Sequence, residues 1–254
     1  MKIVEPLFVA LSTYSRIPVP QFTWTEENTK YALCWFPVVG VFCGVALWIW
    51  YLFCQSFQVH DFFFAAVATS IPILMTGGIH MDGFMDTVDA LSSHQSRERK
   101  LEILKDSHSG AFAVIFCNLY FLISFGVYCG LYRNEKIEAV GFLFVLSRGL
   151  SAICAVTQKN ARGSGMLQSY TIHIHRKIAI FWSLMSVILS LFAMILRFPL
   201  EGIVAGGIAF GTVLYYISMT KKEFGGVTGD TSGFFLQTCE LVCLISVYFI
   251  SCLD

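Results

Sequence analysis

The 254-residue chain is 56% hydrophobic, 15% aromatic and only 13% charged, with a mean hydropathy of +0.68. A single soluble core of this length cannot bury so much apolar surface, so the composition predicts a membrane protein. The formal net charge is zero, and no nucleic-acid partner is expected. The nine cysteines lie in or beside apolar stretches without a CxxC pair, which argues against disulfides and against a zinc site.

The first 30 residues contain only a short apolar patch, residues 7–11, followed by Pro18 and Pro20. Because this patch is too short to cross a bilayer, we expect an interfacial helix that ends at the prolines. The segment has no basic region leading into an uninterrupted apolar core with a small-residue cleavage site, which argues against a signal peptide.

Seven apolar stretches of about twenty residues follow, and this is the length that crosses a bilayer as a helix. The second is interrupted by Pro72 and Gly77-Gly78, and the sixth is glycine-rich, so a re-entrant segment is an alternative there. The sequence therefore predicts an all-α, polytopic membrane helix bundle forming a single membrane-embedded domain over residues 1–254, with residues 1–30 as its N-terminal interfacial segment. The predicted spans cover residues 32–54, 61–79, 110–132, 138–157, 178–197, 201–219 and 234–253.

The basic residues are distributed unevenly between the two ends of these spans. Of the 17 basic residues, only Arg133, Lys136 and Arg197 fall in the loops of one side, while Arg148 lies inside a span. By the positive-inside rule the richer side is cytoplasmic, which places the N-terminus inside and the C-terminus outside. The longer loops, 80–109, 158–177 and 220–233, all lie on that side. Since a carrier needs comparable access from both faces, this asymmetry favours an enzyme over a transporter.

Residues 77–91, GGIHMDGFMDTVDAL, place three carboxylates directly after the second apolar stretch. In a helix, Asp82, Asp86 and Asp89 fall within an arc of about 60°, while His80 lies outside it. In the simpler interpretation, the three aspartates are solvated acids beside a membrane span. In the functional interpretation, they bind Mg²⁺ or Mn²⁺, because such cations take carboxylate oxygens and keep substrate phosphates as further ligands.

Two later turns offer carboxylates on the same predicted side. Asp106 lies in the turn Asp-Ser-His-Ser-Gly before the third span, and is either a cap of that helix or a fourth carboxylate of the site. Asp230 follows a glycine-rich stretch at the start of the last span, where backbone N–H groups can approach an anion. It is either the N-cap of that helix or another carboxylate of the site.

Two charged residues, Arg148 and Glu240, lie within apolar spans. Ionisable residues at membrane depth are costly unless they are paired or line a cavity. An ion pair between the two is one interpretation, and we favour the other, in which each lines a cavity.

Several stretches, taken together and in order, resemble the cobalamin synthase family, adenosylcobinamide-GDP ribazoletransferase. They extend from residue 16 to residue 240. The family often has an acid where Met81 stands, but the three aspartates around it are intact. The matching stretches are RIPVP (16–20), WFPVVG (35–40), GGIHMDGFMDTVD (77–89), DSHSGAF (106–112) and GVTGD (226–230), with Glu240.

The resemblance implies a transferase of the last steps of cobalamin (vitamin B12) biosynthesis, in the bacterial inner cell membrane, with its active site on the cytoplasmic side. Its expected substrates are adenosylcobinamide-GDP and α-ribazole or α-ribazole 5′-phosphate, with release of GMP. The expected cofactor is Mg²⁺, with Mn²⁺ as the alternative. Membrane lipid is expected around the protein, and assembly into a homo-oligomer is left open. The candidate residues are Asp82, Asp86, Asp89 and Asp106 for catalysis, Asp82, Asp86, Asp89 and Asp230 for metal binding, and Arg16, Arg148, Arg162, Gly229, Asp230 and Glu240 for substrate binding.

Three alternatives compete with this interpretation. A CDP-alcohol phosphotransferase also clusters aspartates near a cytoplasmic face, but its extended pattern is not met, since Ala-Arg occurs only at Ala161-Arg162. An ion-coupled transporter would not be expected to have all its longer loops on one side of the membrane. A non-catalytic membrane scaffold would not explain why three aspartates share one face of a helix.

Overall fold

The structure is a computed structural model that describes residues 4–20, 25–106, 108–162 and 174–253. Within these ranges every secondary-structure element is a helix, which confirms the all-α prediction. The short helices are α1 (Val4–Tyr14), α2 (Glu26–Thr29), a 3₁₀ turn (Ala32–Trp35), α5 (Ile79–Ser92) and α6 (Arg97–Ile103). The longer helices are α3 (Phe36–Ser56), α4 (Asp61–Thr76), α7 (Ala111–Arg133), α8 (Ile137–Thr157), α9 (Arg176–Arg197), α10 (Pro199–Glu223) and α11 (Gly229–Ser251).

Six of the described helices, α3 and α7–α11, are long and apolar enough to cross a membrane. The sixth predicted span is among them, because α10 is one continuous helix of 25 residues despite its glycines. A seventh span results if α4 and α5 are counted together, although the two helices meet at an angle of 95°. The structure therefore agrees with six or seven spans.

The bend between α4 and α5 is made by Gly77 and Gly78. Their φ angles are 67° and 81°, in the left-handed region that residues with a Cβ rarely adopt. Two such residues in succession end α4 and let α5 start in a new direction. The acidic stretch is helical and bends away from the preceding apolar segment.

The loops between the helices lie at the two ends of the bundle. At one end, called here the opposite face, Tyr132 donates a hydrogen bond to the Val59 carbonyl at 3.2 Å, and Lys136 lies 2.9 Å from Glu201. At the other end, called the site face, the N–H of Arg16 bonds to the carbonyl of Met75 at 2.7 Å. The site face holds α5, α6 and the longer loops. Its cytoplasmic position stays a prediction.

The N-terminal segment forms the predicted short helix, which ends at Tyr14 rather than at the prolines. Leu11 packs with Leu33 of the 3₁₀ turn and with Phe36 of α3 in a small apolar cluster. This packing holds α1 beside the start of α3 at the site face.

Candidate functional site

Two glycines allow α5 and α11 to pack backbone against backbone. A Cβ on Gly83 would lie 2.7 Å from the Asp230 carbonyl oxygen, and a Cβ on Gly233 would lie 2.8 Å from the His80 carbonyl oxygen. Both distances are too short for nonbonded atoms. Glycine at these positions therefore allows the approach that brings the acidic helix α5 beside the first turn of α11.

A cavity of about 320 Å³ opens where these helices meet α1, α3 and α8. Asp82 of α5 and Asp230 of α11 both line it, so two of the predicted site carboxylates share one pocket. The other lining residues are Tyr14, Leu33, Phe36, Ile79, His80, Ser151, Ala152, Ala155, Gly229, Ser232 and Gly233.

Asp86 connects the remaining carboxylates to this pair. It lies one helical turn beyond Asp82 and interacts electrostatically with Asp82, Asp89 and Asp230. Arg162 is a basic group within the same range. Four of the predicted site carboxylates therefore share one electrostatic environment, at a point where like charges repel each other unless a cation or a basic side chain offsets them.

Arg162 reaches the site because its loop is attached to the start of α11. The Val227 N–H bonds to the Lys159 carbonyl at 2.8 Å, and the Ala161 N–H bonds to the Val227 carbonyl at 2.9 Å. The Arg162 Nη1 then lies 3.1 Å from the Oδ2 of Asp230. Its Nε and Nη2 are buried without a hydrogen-bond partner in the described part of the chain, so two strong donors remain for an anion.

Asp89 has a structural task that the sequence assigned to another residue. Its two carboxylate oxygens accept hydrogen bonds from the N–H groups of Gly110 and, at 2.8 Å, Ala113. Asp89 thus caps the start of α7 from a neighbouring helix. Of the two interpretations offered for Asp106, the structure does not show the cap, because the N-cap position is held by Gly110 and Asp89 accepts the hydrogen bonds there.

Asp106 is exposed and bonds within its own turn. Its Oδ1 lies 2.8 Å from the Nδ1 of His108 and accepts a hydrogen bond from the His108 N–H at 3.0 Å. The His108 ring and N–H hold the pKa of Asp106 below its ordinary value. The turn explains this carboxylate locally, and its catalytic role stays a prediction.

Asp230 is not the N-cap of the last helix. Thr228 holds that position and forms a reciprocal capping box with Thr231, so that each side chain bonds to the backbone of the other. Since capping does not require Asp230, its carboxylate is available to the cavity. Gly229, beside it, is exposed and lines the same cavity.

Arg148 and Glu240 form the ion pair that the sequence analysis did not favour. The Arg148 Nη1 donates to the Glu240 Oε1 at 2.7 Å, and Ser147 donates to the same oxygen at 2.7 Å. The two residues are 1% and 5% exposed, respectively. Neither lines the 320 Å³ cavity; Glu240 borders a separate, deeper space of about 20 Å³.

Arg16, a predicted substrate-binding residue, lies at the bend of the acidic segment. Its side chain crosses Gly77, where a Cβ would lie 2.8 Å from the Arg16 Cγ. The residue is exposed at the site face. The position is compatible with a phosphate contact, which stays a prediction.

Most residues of the cavity walls were not among the predicted site residues. His80 lies outside the aspartate arc, yet it is buried, lines the cavity and stands near Tyr14 and Phe36 with ring centroids 6.5 and 5.6 Å away. Ser151, Ala152 and Ala155 form the α8 wall. Small side chains at i, i+1 and i+4 of a helix were the available signal, because they leave space on one face.

The carboxylates of the site are of the type that binds a hard divalent cation, but their present positions do not form a complete coordination site. Within the described ranges, no three His, Cys, Asp or Glu side chains are arranged to hold a metal ion. Asp82, Asp86 and Asp230 nevertheless supply the carboxylate oxygens that Mg²⁺ prefers. The Asp230 Oδ2 is also buried and accepts no hydrogen bond from the described residues, although the Arg162 Nη1 lies 3.1 Å away.

Known proteins provide an independent comparison. The model of the cobalamin-5-phosphate synthase family matches residues 6–248. The chain is 38% identical over 247 residues to the adenosylcobinamide-GDP ribazoletransferase of Lachnoclostridium phytofermentans, covering 97% of this chain and 94% of that one. It is 33% identical to the Clostridium botulinum (strain Alaska E43) enzyme of the same name, covering 94% and 95%. No solved structure matches. The chain belongs to the cobalamin-5-phosphate synthase family, as the ordered motifs predicted.

Proposed function

We propose that the chain joins adenosylcobinamide-GDP to α-ribazole, or to α-ribazole 5′-phosphate, and releases GMP at the cavity between α5, α8 and α11. Its relatives are named for this transfer, and the family match covers nearly the whole chain. The supporting observation in the structure is that Asp82 and Asp230 line one cavity, with Asp86 and Arg162 in electrostatic range.

The reaction is a phosphoryl substitution. A ribose hydroxyl of the ribazole forms a new P–O bond to the phosphorus attached to the cobinamide arm, and the P–O bond of that phosphorus to GMP breaks. The hydroxyl proton passes to a carboxylate, and the electron pair of the broken bond leaves with GMP. Transfers of this kind depend on positioning and on charge neutralisation more than on covalent help from the protein.

The acidic residues divide between two tasks in this proposal. Asp82, Asp86 and Asp230 would hold Mg²⁺ or Mn²⁺, and the ion would neutralise the diphosphate and the developing charge on the leaving oxygen. Of these three, the cavity-lining carboxylate that the ion leaves uncoordinated, Asp82 or Asp230, accepts the hydroxyl proton. Asp89 keeps α7 in place through its two backbone hydrogen bonds, and thereby supports one end of the acidic helix.

Arg162 is the side chain best placed for the diphosphate. A guanidinium binds phosphate oxygens with two parallel N–H donors, and Arg162 has two without a partner among the described residues. Its ion pair with Asp230 holds it beside the cavity before substrate binds. We place this chemistry at the cytoplasmic face of the bacterial inner membrane, because the site face carries most of the basic residues.

The proposal is tested by GMP release from the purified, detergent-solubilised chain. We expect GMP only when both the corrinoid-GDP and a ribazole are present, and only with Mg²⁺ or Mn²⁺. Chelation should abolish the release, and added Mg²⁺ should restore it. GMP release with one substrate alone would contradict the transfer, and full activity after chelation would contradict the metal requirement.

A further inference from the structure

The 320 Å³ cavity lies at the small end of the range of about 300–1,000 Å³ found for small-molecule sites. An adenosylated corrinoid is several times the size of a nucleoside and does not fit within it. We infer that this cavity is the pocket of the nucleoside acceptor, with the base against the wall formed by Tyr14, Phe36 and His80 and the ribose toward Asp82 and Asp230. This assignment rests on the proposed function and adds which substrate occupies which part of the site.

Three rings form one wall of the cavity. The Tyr14 and Phe36 ring centroids are 4.5 Å apart, and those of Phe36 and His80 are 5.6 Å apart. Leu33, Ala152 and Ala155 also line the cavity and belong to the same apolar cluster as Phe36, against which Tyr14 packs. Aromatic and apolar surfaces bind a flat ring through its faces and edges, whereas a flexible or charged group gains little from them.

The apolar lining also distinguishes the two bases present in the reaction. Guanine, on the corrinoid-GDP substrate, carries several donors and acceptors around its edge, and burial against Leu33 and the α8 alanines would leave them unpaired. Ribazole is a benzimidazole riboside, and its base has few hydrogen-bonding groups. The His80 Nε2 is buried in this wall without a partner in the described part of the chain. The pocket therefore favours the acceptor base over guanine.

The polar lining of the cavity fixes the direction of the nucleoside. It consists of the side chains of Asp82, Asp230, Ser151 and Ser232. With the base at the aromatic end, the ribose reaches the two carboxylates, where one of them can accept the hydroxyl proton. Arg162 pairs with Asp230 but does not line the cavity, so a diphosphate bound by Arg162 would meet the ribose at Asp230 without occupying the cavity.

A larger side chain in the part of the cavity assigned to the base tests this assignment without replacing a charged residue. Ala155→Leu places a larger apolar side chain in the cavity, and Val38→Leu, a smaller enlargement, places its added carbon in a separate apolar groove that Val38 lines beside α9. For Ala155→Leu we expect the KM for α-ribazole to rise about tenfold or more, while the KM for the corrinoid-GDP changes by less than about twofold. Val38→Leu should leave both values unchanged.

Direct binding separates this inference from the proposed reaction. Equilibrium dialysis with α-ribazole alone should show binding to the unsubstituted chain and at least about tenfold weaker binding to Ala155→Leu. An increase confined to the KM for the corrinoid-GDP, an equal increase in both KM values, or no change in either would overturn the assignment. If Ala155→Leu does not fold, as judged by its thermal unfolding, Ala155→Val is judged by the same criteria. Binding of α-ribazole without GMP release would leave the pocket standing and refute the transfer reaction.

Discussion

Arg162 and Asp230 form an ion pair at the start of α11, with 3.1 Å between the Arg162 Nη1 and the Asp230 Oδ2. The loop that carries Arg162 is held there by backbone hydrogen bonds to Val227. The side chains are 15% and 26% exposed, so the cost of removing both charges from water offsets much of the attraction between them. Its main consequence is to place a guanidinium beside a group of carboxylates.

Replacing Arg162 should weaken diphosphate binding more than it weakens the fold. For Arg162→Gln we expect the KM for the corrinoid-GDP to rise about tenfold or more, and Arg162→Lys should fall between this variant and the unsubstituted chain, because lysine lacks the planar pair of donors. Steady-state kinetics with each substrate varied in turn measures this. Arg99→Gln is the matched control, because Arg99 pairs with Glu102 at an exposed position. Equal effects of both variants would remove Arg162 from the site.

Loss of one carboxylate of the acidic helix should abolish most of the activity. Asp82→Asn and Asp86→Asn each remove a charge and a cation ligand while keeping the side-chain size, and we expect turnover to fall about 100-fold or more. The assay uses membranes with matched amounts of protein. Glu102→Gln, an exposed acid on α6, controls for the loss of one negative charge. Near-normal turnover of both aspartate variants would refute the metal-site proposal.

The cap of α7 predicts a stability effect that distinguishes Asp89 from Asp106. Asp89→Ala leaves the N–H groups of Gly110 and Ala113 without their acceptor and should cost about 1–2 kcal/mol, while Asp89→Asn should cost less. Asp106→Ala loses only a bond within an exposed turn and should change stability by a few tenths of a kcal/mol. Thermal unfolding in detergent compares the three variants. A larger loss for Asp106→Ala would assign the cap to Asp106.

The buried pair of Arg148 and Glu240 predicts non-additive substitutions. Glu240→Leu leaves the Arg148 guanidinium buried without its partner and should cost about 3–5 kcal/mol. The double variant Arg148→Met, Glu240→Leu should recover most of that loss, since no unpaired charge remains. Unfolding measurements on Arg148→Met, on Glu240→Leu and on the double variant test this. Undiminished stability of Glu240→Leu, together with a raised substrate KM, would instead support the substrate-binding role predicted from the sequence.

The close contact between α5 and α11 predicts that one added methyl group separates the site carboxylates. Gly83→Ala forces the Asp230 backbone away and should lower turnover at least about tenfold, because Asp82 and Asp230 no longer meet in one cavity. Gly126→Ala is the matched control, since a Cβ there meets nothing within 4 Å. That variant should be stabilised by about 0.5–1 kcal/mol, as expected for alanine in a helix. Equal turnover of the two variants would show that the contact does not position the site.

The helices and their approximate ends could be predicted from the sequence because apolar length decides whether a segment crosses a bilayer. The bend at Gly77-Gly78 was equally accessible, since consecutive glycines permit the positive φ angles observed there. Capping was predicted less well. The cap of α7 comes from Asp89 on another helix, and local spacing contains no information about such a contact.

The membrane bundle, the family and the carboxylate face on α5 could be predicted before folding was considered, because they depend on composition, on motif order and on helical periodicity. Which charges meet depends instead on how the helices pack. Arg148 and Glu240 pair inside the bundle, whereas Arg162 and Asp230 pair at the site face. The cavity walls from α1, α3 and α8 likewise exist only after packing, because a pocket is the space that several helices leave between them.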